Sequence, residues 1–203
     1  MTGPAPSGDD GKARRKPQER ALRRKEALVE AAVTLLGEGG FTAVTHRAVA
    51  ERAGIPLAAT SYYFTSRDEL VARAFAVLVE RDLRLMRASL TEEAATGSLV
   101  ELAQALLRAY ASDRGRQLGL WELYLQAGRE PALQDIARSW TDGWHDIVRT
   151  LLERAGYPCG ASEVHFLATL VSGLWLELLV EDRPGALDRA GEMVARGLRA
   201  ISA

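Results

Sequence analysis

The chain has 203 residues, of which 47% are hydrophobic, which is enough for one compact domain or for a small domain joined to a larger one. Its formal net charge is −1 and it has one cysteine, Cys159, so an internal disulfide is excluded and the total charge does not point to nucleic acid. We expect no signal peptide, because the N-terminal residues lack an apolar core, and the longest apolar run, residues 166–180, is predicted to be too short to span a bilayer.

Positive charge is concentrated at the N-terminus. Residues 1–25 contain eight Lys or Arg and three acidic residues, whereas the remaining residues contain 18 basic and 24 acidic ones. Residues 1–19 are rich in Pro, Gly and charge without apolar periodicity, which predicts a disordered basic tail. Two interpretations of this tail remain open: a solvated extension, or a basic arm that follows DNA phosphates or enters the minor groove.

The first predicted helix covers residues 20–37. Its apolar residues recur at the spacing of one helical face, which predicts a stripe that faces a core. These residues are Leu28, Ala31, Ala32, Leu35 and Leu36. The glycines between residues 37 and 40 are expected to end this helix, and Phe41 and Val44 to fill the core beneath the next two helices.

Residues 45–64 predict two short helices separated by a sharp corner. Thr45 is a suitable N-cap for the first helix, Gly54 can adopt the positive φ that ends it, and Pro56 suits an early position in the second. This layout is a helix-turn-helix, whose second helix enters the major groove of DNA. The polar and aromatic residues of that second helix are Thr60, Ser61, Tyr62 and Tyr63. Their hydroxyl groups can reach phosphates and base edges.

A set of positions between residues 40 and 70 extends this pattern. They are Gly40-Phe41, Thr45, Arg47, Val49-Ala50, Ala53-Gly54-Ile55-Pro56, Phe64, Ser66-Arg67 and Leu70. With their spacing they resemble the TetR family of transcriptional repressors, although that family usually has Tyr at the position of Ser61 and Lys at the position of Arg67. The resemblance implies an all-helical homodimer that represses from a palindromic operator until a small molecule binds.

The candidates for DNA contact lie in or beside the two short helices. They are Thr45, His46, Arg47, Pro56, Thr60, Ser61, Tyr62, Tyr63 and Arg67. The recognition helix contains no Lys or Arg, so we expect readout by hydroxyls, methyl groups and DNA shape. Affinity is then expected to come from Arg47, Arg67 and the N-terminal arm. The alternatives are that one tyrosine ring fills the core and that His46 is a plain surface residue.

A long helix is predicted to start at a capping box formed by Ser66 and Glu69, and to run to about residue 90. A helix of this length spans about 36 Å, so it can connect a DNA-binding head to a separate body. We therefore expect it to transmit changes between the two.

The rest of the chain is predicted to form a helical body. Its predicted helices cover residues 98–112, 117–128, 131–156, 162–180 and 186–201. No period-two strand pattern occurs, so the predicted fold class is all-α with about nine helices. A three-helix head, residues 20–66, is followed by an effector-binding and dimerisation domain, residues 67–203.

Aromatic side chains are concentrated in this body, which favours a pocket for an apolar or aromatic effector. The candidates are Tyr110, Trp121, Glu122, Tyr124, Trp140, Trp144, His145 and Trp175. Glu122 and Glu177 are acids in apolar helices and must find a partner, face solvent or shift their pKa. Tryptophans at helical spacing are more often core residues, so core packing is the alternative for each.

The last two predicted helices have more apolar surface than one small core requires. We expect them to form a homodimer interface, as the resemblance also implies; the alternative is that residues 162–180 form an internal core helix. Two heads related by a twofold axis would bind double-stranded DNA at half-sites about 34–36 Å apart, or a multiple of this distance.

The sequence shows no catalytic or metal-binding spacing, and we predict no enzyme activity, no metal and no cofactor. Its histidines, His46, His145 and His165, stand on separate predicted elements. We expect a cytoplasmic protein without a membrane partner. Two other functions remain open: a helical small-molecule-binding protein or enzyme with a vestigial helix-turn-helix, and an architectural protein without an effector.

Overall fold

The structure is a computed structural model and describes residues 10–93, 101, 107, 113–181 and 183–202. Over these residues it contains eight α-helices, one short 3₁₀ turn and no β-strand, which confirms the all-α prediction. The predicted helix over residues 98–112 lies almost wholly outside the described residues, although Glu101 and Leu107 are helical.

Within the described ranges 10–93 and 113–202, short connections join successive helices. The first four are α1 (Asp10–Ala43), α2 (His46–Ala53), α3 (Leu57–Tyr63) and α4 (Arg67–Glu93). The others are α5 (Arg114–Ala127), α6 (Gln134–Arg154), α7 (Ala161–Glu181) and α8 (Ala186–Ile201), with the 3₁₀ turn (Pro131–Leu133) before α6. Except for α1, the predicted boundaries of the corresponding helices lie within about three residues of these bounds.

Helix α1 is longer than predicted at both ends. It begins at Asp10, so residues 10–19 of the predicted tail are helical, while residues 1–9 lie outside the described part of the chain. Its first turns are rich in Lys and Arg, which favour helix without any apolar stripe, although Gly11 and Pro17 disfavour it. The helix also continues beyond the glycine run with a kink at Gly40, whose φ of 68° and ψ of −166° are essentially restricted to glycine.

The helix-turn-helix forms as the sequence predicts. The Thr45 hydroxyl accepts a hydrogen bond from the Ala48 amide at 3.1 Å, which caps α2. Gly54 ends α2 in the left-handed conformation, with φ 64° and ψ 31°. Val44 and Phe64 are buried beneath these helices, so their orientation relative to α1 is fixed by apolar packing.

Helix α4 begins with the predicted capping arrangement, with one difference. The Ser66 hydroxyl accepts from the Glu69 amide at 3.1 Å, but the Glu69 carboxylate accepts from the amide and hydroxyl of Thr65, each at 2.7 Å, rather than from the Ser66 amide. These hydrogen bonds lower the pKa of Glu69. From there α4 contributes buried residues to one continuous core that includes α1 at one end and α8 at the other.

Helix α7 combines a buried side with an apolar exposed side. Its 21 residues are long and apolar enough to cross a membrane by length and composition alone, which corrects the prediction that this run is too short. The inner residues, including Val171 and Trp175, are buried, and α7 packs against α6 and α8. Phe166, Leu176 and Val180 are exposed, so part of its apolar surface lies outside the core.

Candidate DNA and effector sites

Helix α3 presents an uncharged outer face. Leu57, Ala58, Ser61 and Tyr62 are exposed, and Tyr62 is 82% exposed. The Tyr63 ring meets that of Tyr62 edge to face, with centroids 5.1 Å apart, and packs against the core. Tyr62 is therefore the tyrosine that faces outward, and Tyr63 is the one that helps to fill the head.

Thr60 occupies the inner face of α3. It is fully buried, and its hydroxyl donates a hydrogen bond to the Leu57 carbonyl at 2.5 Å. A buried side chain with a satisfied hydroxyl cannot reach a base edge, so the predicted DNA contact of Thr60 is not supported. Thr60 instead anchors the recognition helix.

The start of α2 offers a cation and a capping hydroxyl. Arg47 is exposed at the second residue of the helix, next to Thr45, whose hydroxyl is already used for capping. His46 is half-buried, and its Nδ1 is buried without a hydrogen-bond partner among the described residues. Pro56 is exposed at the N-cap of α3 with φ −55°. Among these residues, Arg47 is the one that can offer charge to a phosphate.

Arg67 is occupied inside the head. Its Nε donates to the Val44 carbonyl at 2.7 Å, and its Nη2 donates to the Phe41 carbonyl. The guanidinium also lies over the Phe41 ring, 4.2 Å from the ring centroid. Arg67 therefore fastens the start of α4 to the segment between α1 and α2, and its assignment as a phosphate-binding residue stays a prediction.

Other cations of the head divide into paired and exposed groups. Arg52 makes two hydrogen bonds with the Glu38 carboxylate, at 2.9 and 2.5 Å, and the Lys25 ammonium lies 5.5 Å from the Phe64 ring centroid. The basic residues of α1 that are exposed beside them are Arg20, Arg23 and Arg24. Part of the positive charge that was predicted to lie on a disordered arm is therefore carried by helix α1.

The predicted effector residues separate into several groups. Trp121, Tyr124 and Trp140 form one series, with ring centroids 5.9 Å apart for the first pair and 5.7 Å for the second. The Tyr124 hydroxyl is hydrogen-bonded to that of Thr141, and burial raises the pKa of Tyr124. This series joins α5 to α6. Tyr110 lies outside the described residues.

Two of the predicted effector tryptophans are core residues. The Trp144 and Trp175 rings are buried with centroids 4.6 Å apart, and Trp144 Nε1 donates to the Ala168 carbonyl at 3.2 Å. Their contact joins α6 to α7. For both tryptophans the structure therefore supports core packing, the alternative to effector binding.

Glu122 faces the head. Its Oε1 accepts from the Phe41 amide at 3.3 Å and lies 3.5 Å from Gln126 Nε2. Arg67 of α4 binds the Phe41 carbonyl. Helices α4 and α5 therefore both contact the backbone of Phe41, directly after the kink at Gly40. Glu122 therefore lies at a contact between body and head, and its predicted role in effector binding stays a prediction.

His145 lies on another surface. Its ring meets that of His165 with centroids 5.5 Å apart, between α6 and α7. Burial, and next the proximity of His165, lower the pKa of His145. Glu177 is exposed on α7. Neither residue belongs to the aromatic series of α5 and α6.

A buried polar cluster was missed by the sequence analysis. Asp82 of α4 is fully buried; its Oδ2 accepts from Trp140 Nε1 at 2.8 Å, and its Oδ1 lies 3.2 Å from Arg116 Nε. Burial raises the pKa of Asp82, against the opposing effects of Trp140 and Arg116. The available signal was its spacing, because Asp82 falls four residues from both Leu78 and Met86 on the apolar stripe of α4.

A groove of about 580 Å³ lies between α1 and α4. Its walls are largely charged, and Arg81 pairs with Glu30 while Arg84 pairs with Glu80. This composition differs from the apolar and aromatic lining expected of the effector site. We therefore assign the groove to the surface of the head-to-body connection.

Comparisons with known proteins cover both parts of the chain. Residues 28–74 match the family described as bacterial regulatory proteins, tetR family, and residues 90–201 match that described as tetracyclin repressor-like, C-terminal domain. The transcriptional regulator BetI of Agrobacterium fabrum is 26% identical over 181 residues, covering 84% of each protein.

Solved structures agree with this match. The multidrug binding protein EbrR in complex with proflavin is 29% identical, with a TM-score of 0.67, over 86% of this chain and 99% of that one. EbrR has also been solved with ethidium and with malachite green. A TetR-family member from Streptomyces coelicolor, SCO1917, is 30% identical, with a TM-score of 0.68, over 86% of this chain and 98% of its own. The chain belongs to the TetR family of transcriptional regulators.

Proposed function

We propose that the protein is a dimeric repressor that binds a palindromic operator in the cytoplasm and is released by a small apolar or aromatic effector. The observation that carries the proposal is the placement of α3, which turns Ser61 and Tyr62 outward while Thr60 and Tyr63 anchor it. In this arrangement residues 20–66 form the DNA-binding head, and residues 67–203 form the effector-binding and dimerisation domain.

The DNA contacts divide into two kinds. Ser61 and Tyr62 reach the bases or the adjacent backbone by hydroxyl and ring contacts, since α3 carries no cation. Arg47 and the exposed basic residues of α1 supply the phosphate contacts, which give affinity without sequence preference. Specificity and affinity therefore come from different helices of the head.

The exposed apolar residues of α7 and α8 support the proposed dimer interface. They are Phe166, Leu176, Val180, Leu187 and Met193. A set of this kind on two neighbouring helices is typical of a surface that a second subunit covers. A subunit interface at this surface would also explain why α7 is so apolar, without requiring that the helix cross a membrane.

The Leu176→Asp substitution is expected to weaken dimerisation by about tenfold or more, because the interface would bury an unpaired carboxylate. Leu125→Asp provides the matched control, since Leu125 is 61% exposed on α5, which is not one of the two proposed interface helices. Sedimentation velocity at micromolar concentrations measures both variants. Equal dimerisation of the two would place the interface elsewhere.

Helix α5 suits the transmission of an effector signal. Trp121 and Tyr124 belong to the aromatic series, whereas Glu122 binds the Phe41 amide and the backbone of Gly115 closely approaches that of Gly37 in α1. A ligand beside the aromatic residues would therefore act on a helix that is also packed against the head. Release requires that the ligand bind the conformation without operator more tightly. The complexes of EbrR with aromatic dyes support an effector of this kind.

Footprinting with a salt titration tests the proposed function. We expect a protected palindrome near the gene of the protein, and an affinity that falls steeply as salt rises. Tyr62→Ala should lower operator affinity about threefold to tenfold, and Tyr62→Phe, its matched control, separates the hydroxyl from the ring. A protein that binds no specific site, or that binds DNA independently of salt, would contradict the proposal. Ligand turnover without DNA binding would favour an enzyme with a vestigial head.

A further inference from the structure

Two buried hydrogen-bond donors lie on one flank of α5. Gln117 is 5% exposed and its Nε2 is buried, and Trp121 is half-buried with its Nε1 buried. Neither nitrogen has a hydrogen-bond partner in the part of the chain that the structure describes. Gln117, Trp121 and Tyr124 are spaced i, i+4 and i+7, so they share one side of the helix.

Buried donors without an acceptor are rare because each one loses its hydrogen bond to water on folding. The contrast with Trp140 is direct, since its Nε1 donates to Asp82 at 2.8 Å. Two unused donors one helical turn apart, beside the Tyr124 ring, are therefore suited to a molecule that supplies acceptors.

Among the residues that the structure describes, the charges around this flank favour a neutral molecule. Arg116, which precedes Gln117, faces Asp82 at 3.2 Å, so its charge is directed to that carboxylate. Asp142, whose charge affects Tyr124, is exposed, where water screens it. A ligand carboxylate would be poorly compensated here, and a ligand cation would meet the positive ends of two N–H groups.

We propose that the effector is a flat, uncharged aromatic compound with oxygen acceptors of the carbonyl type; this inference rests on the proposed function. Its oxygens accept from Trp121 Nε1 and Gln117 Nε2 while its rings lie against Trp121 and Tyr124. Such a ligand differs in charge from proflavin, the cationic tricyclic dye bound to EbrR.

The test compares two tricyclic probes. Acridone is neutral and has a carbonyl oxygen, whereas proflavin has a similar ring skeleton, a positive charge and no oxygen. Fluorescence titration of the full-length protein should show that Trp121→Phe and Gln117→Met each weaken acridone binding about threefold to tenfold. Proflavin binding should change less than twofold. Trp121→Phe keeps an aromatic ring but removes the donor group together with part of the indole.

The melting temperature of the ligand-free protein supplies the matched control. Trp121→Phe should change it by less than Trp140→Phe, because both substitutions lose the same ring volume but only Trp140 loses a satisfied hydrogen bond. Trp140→Phe should lower it by about 2–4 °C, because its donor is bound to Asp82. A donor with a structural role and a donor reserved for a ligand are distinguished by this comparison.

The outcomes separate this inference from the proposed function. It is wrong if Trp121→Phe lowers the melting temperature as much as Trp140→Phe, if wild-type protein does not bind acridone, or if acridone binds all variants equally. It is also wrong if proflavin binds more tightly than acridone and depends on Trp121. If a wider screen finds compounds that release the operator independently of Gln117 and Trp121, only the inference fails. If no compound releases the operator, the proposed function itself fails.

Discussion

Replacing Asp82 by alanine is expected to lower the free energy of unfolding by about 3–5 kcal/mol, the range typical of breaking a buried ion pair from one side. Asp82 is fully buried between three helices, where it accepts from Trp140 of α6 and faces Arg116 of α5. Alanine removes both interactions and leaves a cavity between α4 and the body. Chemical denaturation at neutral pH measures the loss.

A set of substitutions separates charge from shape at this site. Asp82→Asn keeps an acceptor of similar size for Trp140 and loses only the charge that faces Arg116, so it should destabilise less than alanine. The double substitution Asp82→Ala with Arg116→Met should recover part of the loss, because an apolar residue then replaces the buried cation. Additive effects of the two single substitutions, or a loss below about 1 kcal/mol for Asp82→Ala, would show that the ion pair contributes little.

The same cluster shows where sequence reasoning succeeded and where it stopped. Helix types and most boundaries follow from local signals, such as the Thr45 cap and the left-handed Gly54, which act over four residues. Asp82 sits on an apolar stripe, and its position predicts burial but not its partners. Those partners are 34 and 58 residues away in sequence, and only the packing of α4, α5 and α6 brings them together.

The candidate sites show the same division between local and distant information. The sequence predicts which residues form α3, and the structure decides that Tyr62 faces outward and Thr60 inward. Among the aromatic residues, helical spacing alone cannot separate the core pair Trp144 and Trp175 from the series that includes Trp121, because both have the same local pattern. The direction in which a side chain points depends on the helix packed against it.

The second large effect is expected at Arg67, where methionine should lower operator affinity about tenfold or more. The change leaves the Phe41 and Val44 carbonyls without their charged donor and removes the cation over the Phe41 ring. Loss of these charge-assisted hydrogen bonds should also reduce the stability of the head by about 1–3 kcal/mol. Arg67→Lys should retain part of the operator affinity and part of the stability, since lysine keeps the charge but lacks the planar guanidinium that reaches two carbonyls.

The salt dependence of operator binding distinguishes an arginine that positions the helices of the head from one that contacts a phosphate directly. Each phosphate contact that is lost reduces the slope of log affinity against log salt by about 0.9. Arg47→Ala, at an exposed cation, should show this reduction with little change in stability. Arg67→Met should instead lower affinity with a nearly unchanged slope and a lower melting temperature, because its guanidinium is turned into the head.

A reduced slope for Arg67→Met at an unchanged melting temperature would restore Arg67 as a phosphate ligand and would contradict the geometry described above. The distinction decides which residues of the head supply the positive charge for DNA binding. If Arg67 only positions the helices, the charge that draws α3 to DNA comes from Arg47 and from the basic side of α1. Because Glu122 and Arg67 bind opposite ends of the Phe41 residue, a shift of α5 would then change the orientation of α2 and α3 without removing any charge from the DNA-facing surface.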